Sequence, residues 1–186
     1  MGEALRSALD LFWTRGYRGT SLEDLCRATK MSKSTLYAVF GDKRRLFLAC
    51  VQAYTDDLLN EFHTRFRASS SPYQFIRRVF LDLAAEAGER ADRRGCLVMN
   101  TATEFAQTDP EVAKIVGAAL DGMAAVFEEA LIDANRRKEI RIGDPRTTAR
   151  YLVSSVAGMK TMVKAGRPEA ELAALAEVVL QQLARK

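Results

Sequence analysis

The sequence predicts an all-α protein of about nine helices, three short ones at the N-terminus followed by six more. Apolar residues recur at spacings of three and four along most of the chain, and no long alternating β-branched run appears. Only four prolines occur, Pro72, Pro110, Pro145 and Pro168, each close behind Ser, Asp or Gly/Arg punctuation where a helix can begin. The 186 residues are 48% hydrophobic and 28% charged, the balance of a globular chain rather than a disordered one.

A first helix is expected over about residues 2–15, with Leu5, Leu9, Phe12 and Trp13 on one stripe and Gly16 ending it as a C′ glycine does. Thr20 and Ser21 open a second, in which Ser21 and Asp24 have the spacing of a capping box and Leu22, Leu25 and Cys26 face inward; it stops near Ala28. Ser32 caps a third to about Val39, with Leu36 and Phe40 inward. Asp42 caps a fourth and longer helix reaching about Arg67. After the three-serine turn and Pro72 a fifth spans about residues 73–89, and the charged segment 89–95 is a loop. A sixth covers about residues 96–107, and Asp109 with Pro110 opens a seventh to about Lys138. The eighth begins at Pro145 and ends near Ala165; the ninth begins at Pro168 and runs toward the C-terminus.

Several functional classes are excluded early. The longest stretch free of Asp, Glu, Lys and Arg is ten residues, Leu46 to Thr55, whereas a membrane span needs about 20 apolar residues. The N-terminal segment carries acids and no apolar run, so it does not read as a signal peptide, and the chain is expected to be cytoplasmic with no membrane partner. Three scattered cysteines, Cys26, Cys50 and Cys96, and the single His63 supply neither a zinc site nor a pair of Glu-x-x-His motifs. Nucleophile-elbow, dinucleotide and P-loop motifs are absent. No cofactor, metal or enzymatic activity is expected.

Charge is unevenly placed. Residues 1–47 hold nine bases and five acids, which accounts for the whole net charge of +4, and the remainder is neutral. Such asymmetry suits a polyanion partner for that quarter of the chain; a solvated basic face is the alternative.

The segment from Ser21 to Phe40, SLEDLCRATKMSKSTLYAVF, has the length of a helix-turn-helix. Leu22, Leu25, Cys26, Met31, Leu36 and Phe40 would pack the pair, leaving Lys33, Ser34, Thr35 and Tyr37 on the outer N-terminal part of the second helix. In a DNA-binding pair those positions meet the major groove and its flanking phosphates, where Lys reads guanine acceptors or a phosphate and Ser and Thr bond bases or backbone. An ordinary helical hairpin is the other reading. Next, Lys43, Arg44 and Arg45 stand in the first turn of the fourth helix, against its dipole. Bases so placed suit an anion held at that helix start, a DNA phosphate for instance; otherwise they are solvated.

The run from Ala4 to Val51 closely resembles the N-terminal DNA-binding domain of TetR/AcrR-type transcriptional repressors. The matching pieces are LF…RGY-x-x-T-S, A-x-x-x-M-S-K-S-T-L-Y-x-x-F and D-K-x-x-L-F. The resemblance implies a helix-turn-helix DNA-binding domain over residues 1–47 and a larger helical ligand-binding and dimerisation domain over 48–186. It also implies a homodimer that binds a palindromic operator in double-stranded DNA and is released by a small-molecule effector. The candidate DNA-binding residues are Thr20, Ser32, Lys33, Ser34, Thr35, Tyr37, Lys43 and Arg44. Two departures stand out. Lys30 occupies the turn where the family usually has glycine, at a cost of about 1 kcal/mol in a left-handed conformation. The basic N-terminal arm that members often carry is missing.

The second part of the chain varies widely in this family. The segment RGCLVMNTATEF resembles a stretch at the start of the sixth helix in several subfamilies, and its Asn100, Thr103 and Glu104 either orient a ligand in an apolar pocket or face solvent. The ligand-binding candidates are Phe62, Phe80, Met99, Asn100, Thr103, Phe127 and Tyr151. Helices eight and nine hold more apolar residues than one buried stripe needs, and Ser154, Ser155, Ala157 and Gly158 permit close approach, so the dimer is expected there. Cys96, behind Arg93 and Arg94 at a helix start, is either a sensor thiol or an inert half-buried one. A helical interaction protein that has kept the fold without operator binding is the second functional reading.

Overall fold

The computed structural model describes residues 2–88, 93–105 and 107–183. Among these there are nine α-helices and no strand: α1 (Glu3–Arg15), α2 (Leu22–Thr29), α3 (Lys33–Phe40), α4 (Lys43–Ala68), α5 (Pro72–Ala85), α6 (Leu97–Phe105), α7 (Pro110–Arg136), α8 (Pro145–Lys164) and α9 (Glu169–Gln181). They form two compact units, one of residues 1–58 and 97–116, the other of residues 59–96 and 117–186.

The first unit is built on local capping signals. Gly16, at φ 72°, ends α1 with its N–H on the Phe12 carbonyl. Ser21 and Asp24 form a reciprocal capping box at α2. Lys30 turns the chain out of α2 in the left-handed region, φ 57° and ψ 27°, where a β-carbon costs about 1 kcal/mol. The Ser32 hydroxyl accepts the Thr35 N–H, and the Asp42 carboxylate accepts the Arg45 N–H. Around these turns Ala8, Leu9, Phe12, Leu25, Leu36, Leu46, Phe47, Cys50, Val51 and Leu97 close a single core. Tyr17 and Phe47 stack into it beside Phe105, with ring centroids 5.1–5.6 Å apart.

In the second unit α5 packs against α8 and α9, which also pack on each other. The Ser71 hydroxyl caps α5 and donates to Glu139, which also accepts the Tyr73 N–H. Asp144 caps α8 through the N–H groups of Arg146 and Thr147. The buried stripe of α8 is Ala149, Leu152, Val153, Val156, Met159 and Val163; Tyr151, Ser154 and Gly158 are exposed.

Two helices end earlier than their sequence suggests. α5 stops at Ala85 rather than 89, and residues 86–88 tighten into a turn ending at Gly88, whose N–H reaches the Ala85 carbonyl. A β-carbon at Gly88 would lie 2.5 Å from the Glu169 carboxylate, so the chain passes α9 where only glycine fits. α6 stops at Phe105 rather than 107, because the N–H groups of Thr108 and Asp109 both turn back to the Phe105 carbonyl. Most of the loop expected over 89–95 lies outside the described residues.

Candidate nucleic-acid interface

α3 shows how the first unit presents a polar face. Leu36 is the one fully buried side chain of this helix and pins it to the core, with Phe40 half-buried behind it. Lys33, Ser34, Thr35, Tyr37, Ala38 and Val39 all face solvent. The Ser32 hydroxyl lies 2.9 Å from that of Ser34 and 2.8 Å from that of Thr35, a chain of donors and acceptors along the helix start. The Lys33 ammonium stands 5.9 Å from the centre of the Tyr37 ring, one turn on. Ser21, Leu22, Glu23, Cys26 and Lys33 line a shallow cleft between α2 and α3.

The remaining candidates sit differently. Thr20 is fully buried, its hydroxyl donating to the Gly16 carbonyl at 2.7 Å, so it closes the turn between α1 and α2. The Lys43 ammonium lies 4.3 Å from the centre of the Tyr17 ring; burial lowers its pKa, opposed by the nearby Glu104 carboxylate. Burial raises the Tyr17 pKa, with Asp42 adding to the effect.

Arg44 is held by protein carboxylates. Its Nε and Nη2 donate to the two oxygens of Asp109 at 3.0 and 2.9 Å, and Nη2 donates to Glu111 at 2.8 Å. These hydrogen bonds raise the arginine's pKa and hold Asp109 below the usual carboxylate range. The bases at the start of α4 thus do meet anions, but those of the α6–α7 turn. Sequence reasoning missed Asp109 and Glu111 as partners: Asp109 read only as a helix opener, and a separation of 65 residues leaves no local signal.

The ligand candidates separate. Phe62, Phe80 and Phe127 come together with Phe75 in a buried aromatic cluster of the second unit, with ring centroids 5.6–6.4 Å apart. Tyr151 stands on the exposed side of α8, beside a cleft it shares with Arg141, Thr147 and Leu183. Met99 and Asn100 are half-buried and Thr103 is exposed on α6, which belongs to the first unit. All three thiols are free: Cys96 is buried, Cys26 half-buried, and burial pushes the Cys50 thiol up to about 12. Among the described residues no cluster of three His, Cys, Asp or Glu side chains could hold a metal ion, and no helix is long and apolar enough to cross a membrane.

A capped helix pair with a polar, solvent-facing second helix, carried on a basic N-terminal segment, defines a helix-turn-helix DNA-binding protein. Residues 4–50 match the bacterial regulatory proteins of the tetR family, and residues 75–179 match the tetracyclin repressor-like C-terminal domain. The chain belongs to the TetR family of transcriptional regulators, which are not enzymes. It is 29% identical to the HTH-type transcriptional regulator YezE of Bacillus subtilis over 153 residues, 81% of this chain and 79% of YezE. It is 27% identical to the HTH-type transcriptional repressor ComR of Escherichia coli over 180 residues, 96% of this chain and 86% of ComR. A cysteine mutant of the TetR family regulator CifR, solved with 26 bp double-stranded operator DNA, shares the fold at a TM-score of 0.83 and 24% identity, over 96% of this chain and 94% of CifR.

Proposed function

We propose that this DNA-binding transcriptional regulator is a cytoplasmic repressor. It binds a palindromic operator as a homodimer and leaves it when a small-molecule effector binds. Residues 1–47 are the DNA-binding domain and 48–186 the ligand-binding and dimerisation domain. The observation that carries the DNA assignment is the outer face of α3, where Lys33, Ser34, Thr35 and Tyr37 stand exposed around the single buried anchor Leu36. Ser32 organises the start of that face, and Lys43 supplies a phosphate contact from the start of α4. Thr20 holds the turn ahead of α2. Arg44 takes part only when it leaves its carboxylates.

Repression is supported by the relative ComR, a repressor by name. The exposed side of α8 and α9, small residues with Tyr151 and Val178 among them, supports association of two copies there. For the effector site, Phe62, Phe80 and Phe127 offer apolar and aromatic wall, Met99, Asn100 and Thr103 a mixed polar edge, and Tyr151 a further hydroxyl.

The test is an electrophoretic shift with the DNA upstream of the chain's own gene, coupled to a reporter driven from that DNA. Retarded DNA and a silenced reporter are expected. Retarded DNA with an induced reporter would make the protein an activator, and no shift with any genomic fragment would favour a helical interaction protein.

A further inference from the structure

The first turn of α4 places three cations where the helix dipole opposes them. One of them, Arg44, lies between two carboxylates, so the triad it forms with Asp109 and Glu111 carries a net charge of −1. The two acids are held unequally. Asp109 is also the cap of α7, its Oδ1 accepting the N–H groups of Glu111 and Val112, and its side chain is only 20% exposed. Glu111 has no such second duty: its side chain is 59% exposed, and a single 2.8 Å contact ties it to an arginine that is itself 44% exposed. An exposed ion pair of this kind exchanges readily. A guanidinium fork accepts carboxylate and phosphate oxygens in the same geometry, so an incoming phosphate can replace Glu111.

We propose that Glu111, seated beside Asp109, is an internal stand-in for a DNA phosphate: it occupies Arg44 in the free protein, is displaced by the duplex, and so sets both the strength and the salt dependence of DNA binding. The inference rests on the first unit binding DNA. Glu111 is a positioning residue acting through Arg44, and it limits the protein's affinity for any duplex, whatever its sequence.

The experiment uses the full chain and a fluorescent mixed-sequence duplex of about 30 bp, since phosphate contacts are independent of sequence. Affinity is measured by anisotropy from about 50 to 200 mM KCl for the wild type, Glu111→Gln, Arg44→Ala and the double variant. Glu111→Gln is expected to tighten binding about three- to tenfold and to steepen the dependence of log K on log salt by about 0.9, the signature of one more phosphate contact. In the Arg44→Ala background the same change is expected to leave the slope where it was. Equal slopes for wild type and Glu111→Gln, or the same tightening with and without Arg44, would overturn the inference by reducing Glu111 to a nearby repulsive charge. A wild-type protein that binds no duplex would instead sink the DNA-binding assignment itself. Coincident thermal melts of wild type and Glu111→Gln are expected, because the cap on α7 comes from Asp109.

Discussion

Arg44 and Asp109, 65 positions apart, meet through two hydrogen bonds of 2.9 and 3.0 Å, guanidinium fork against carboxylate. The pair joins a helix start that disfavours cations to a helix start that favours anions, so each dipole problem is answered by the other.

Acid should weaken this pair. The Arg44 hydrogen bonds, with those of the Val112 and Glu111 backbones, hold Asp109 below the usual carboxylate range. Asp24 is lowered by the Ser21 hydroxyl and Asp144 by its bonds at the start of α8. A depressed folded pKa contributes stability that is complete above the ordinary carboxylate value and is lost as pH falls through the folded one. Melting temperature is therefore expected to hold near neutrality and to drop below about pH 4. Asp109→Asn should lower the plateau and shrink that drop; an unchanged acid profile in this variant would contradict the assignment.

Two substitutions test the turn geometry. Lys30→Gly relieves a β-carbon in the left-handed region and should stabilise the protein by about 1 kcal/mol. Ser21→Ala removes the capping box of α2 and should cost about 1 kcal/mol. In a chain of this size these are shifts of about 2–4 °C in opposite directions, readable by calorimetry. A destabilising Lys30→Gly would mean that the lysine side chain makes a compensating contact.

These turns were legible in the sequence because caps are local. Ser21 sees Asp24, Ser32 sees Thr35 and Asp42 sees Arg45, each three residues on, and the structure forms all three. The left-handed turn at Lys30 was legible for the same reason. The ends of α5 and α6 were not: an Ala- and Glu-rich run continues helical propensity past Ala85, and the close passage of Gly88 by Glu169 is a tertiary fact. Nor was the commitment of Arg44 to Asp109, or the burial of Thr20, whose hydroxyl goes to a backbone carbonyl instead of the surface. The outer face of α3 was readable because one buried leucine in a short helix fixes which side remains outside.

Lys33 and Lys43 are expected to behave differently. Lys33 stands on the exposed face of α3, whereas Lys43 packs over Tyr17 at the start of α4. Lys33→Ala should change the ranking of operator variants, and Lys43→Ala should weaken all of them about equally. Competition binding across a panel of single-base variants reads both. Uniform weakening by both would remove base reading from Lys33.

Gly158 tests the assembly. It is exposed on α8, and a β-carbon there would meet nothing within 4 Å, so the protomer tolerates a side chain. Gly158→Glu is expected to keep its helix content by circular dichroism, to sediment as a monomer where the wild type is a dimer, and to lose operator binding. A wild type that is monomeric at micromolar concentration and still binds a palindrome tightly would rule out dimerisation through α8 and α9.

The most direct measurement is the affinity of the wild-type protein for operator DNA as salt is raised. If the exposed face of α3 and the cations at the start of α4 seat on phosphates, a dimer making about six to ten such contacts loses roughly 10³-fold or more in affinity between about 50 and 200 mM salt. A complex whose affinity does not change over that range would contradict the account.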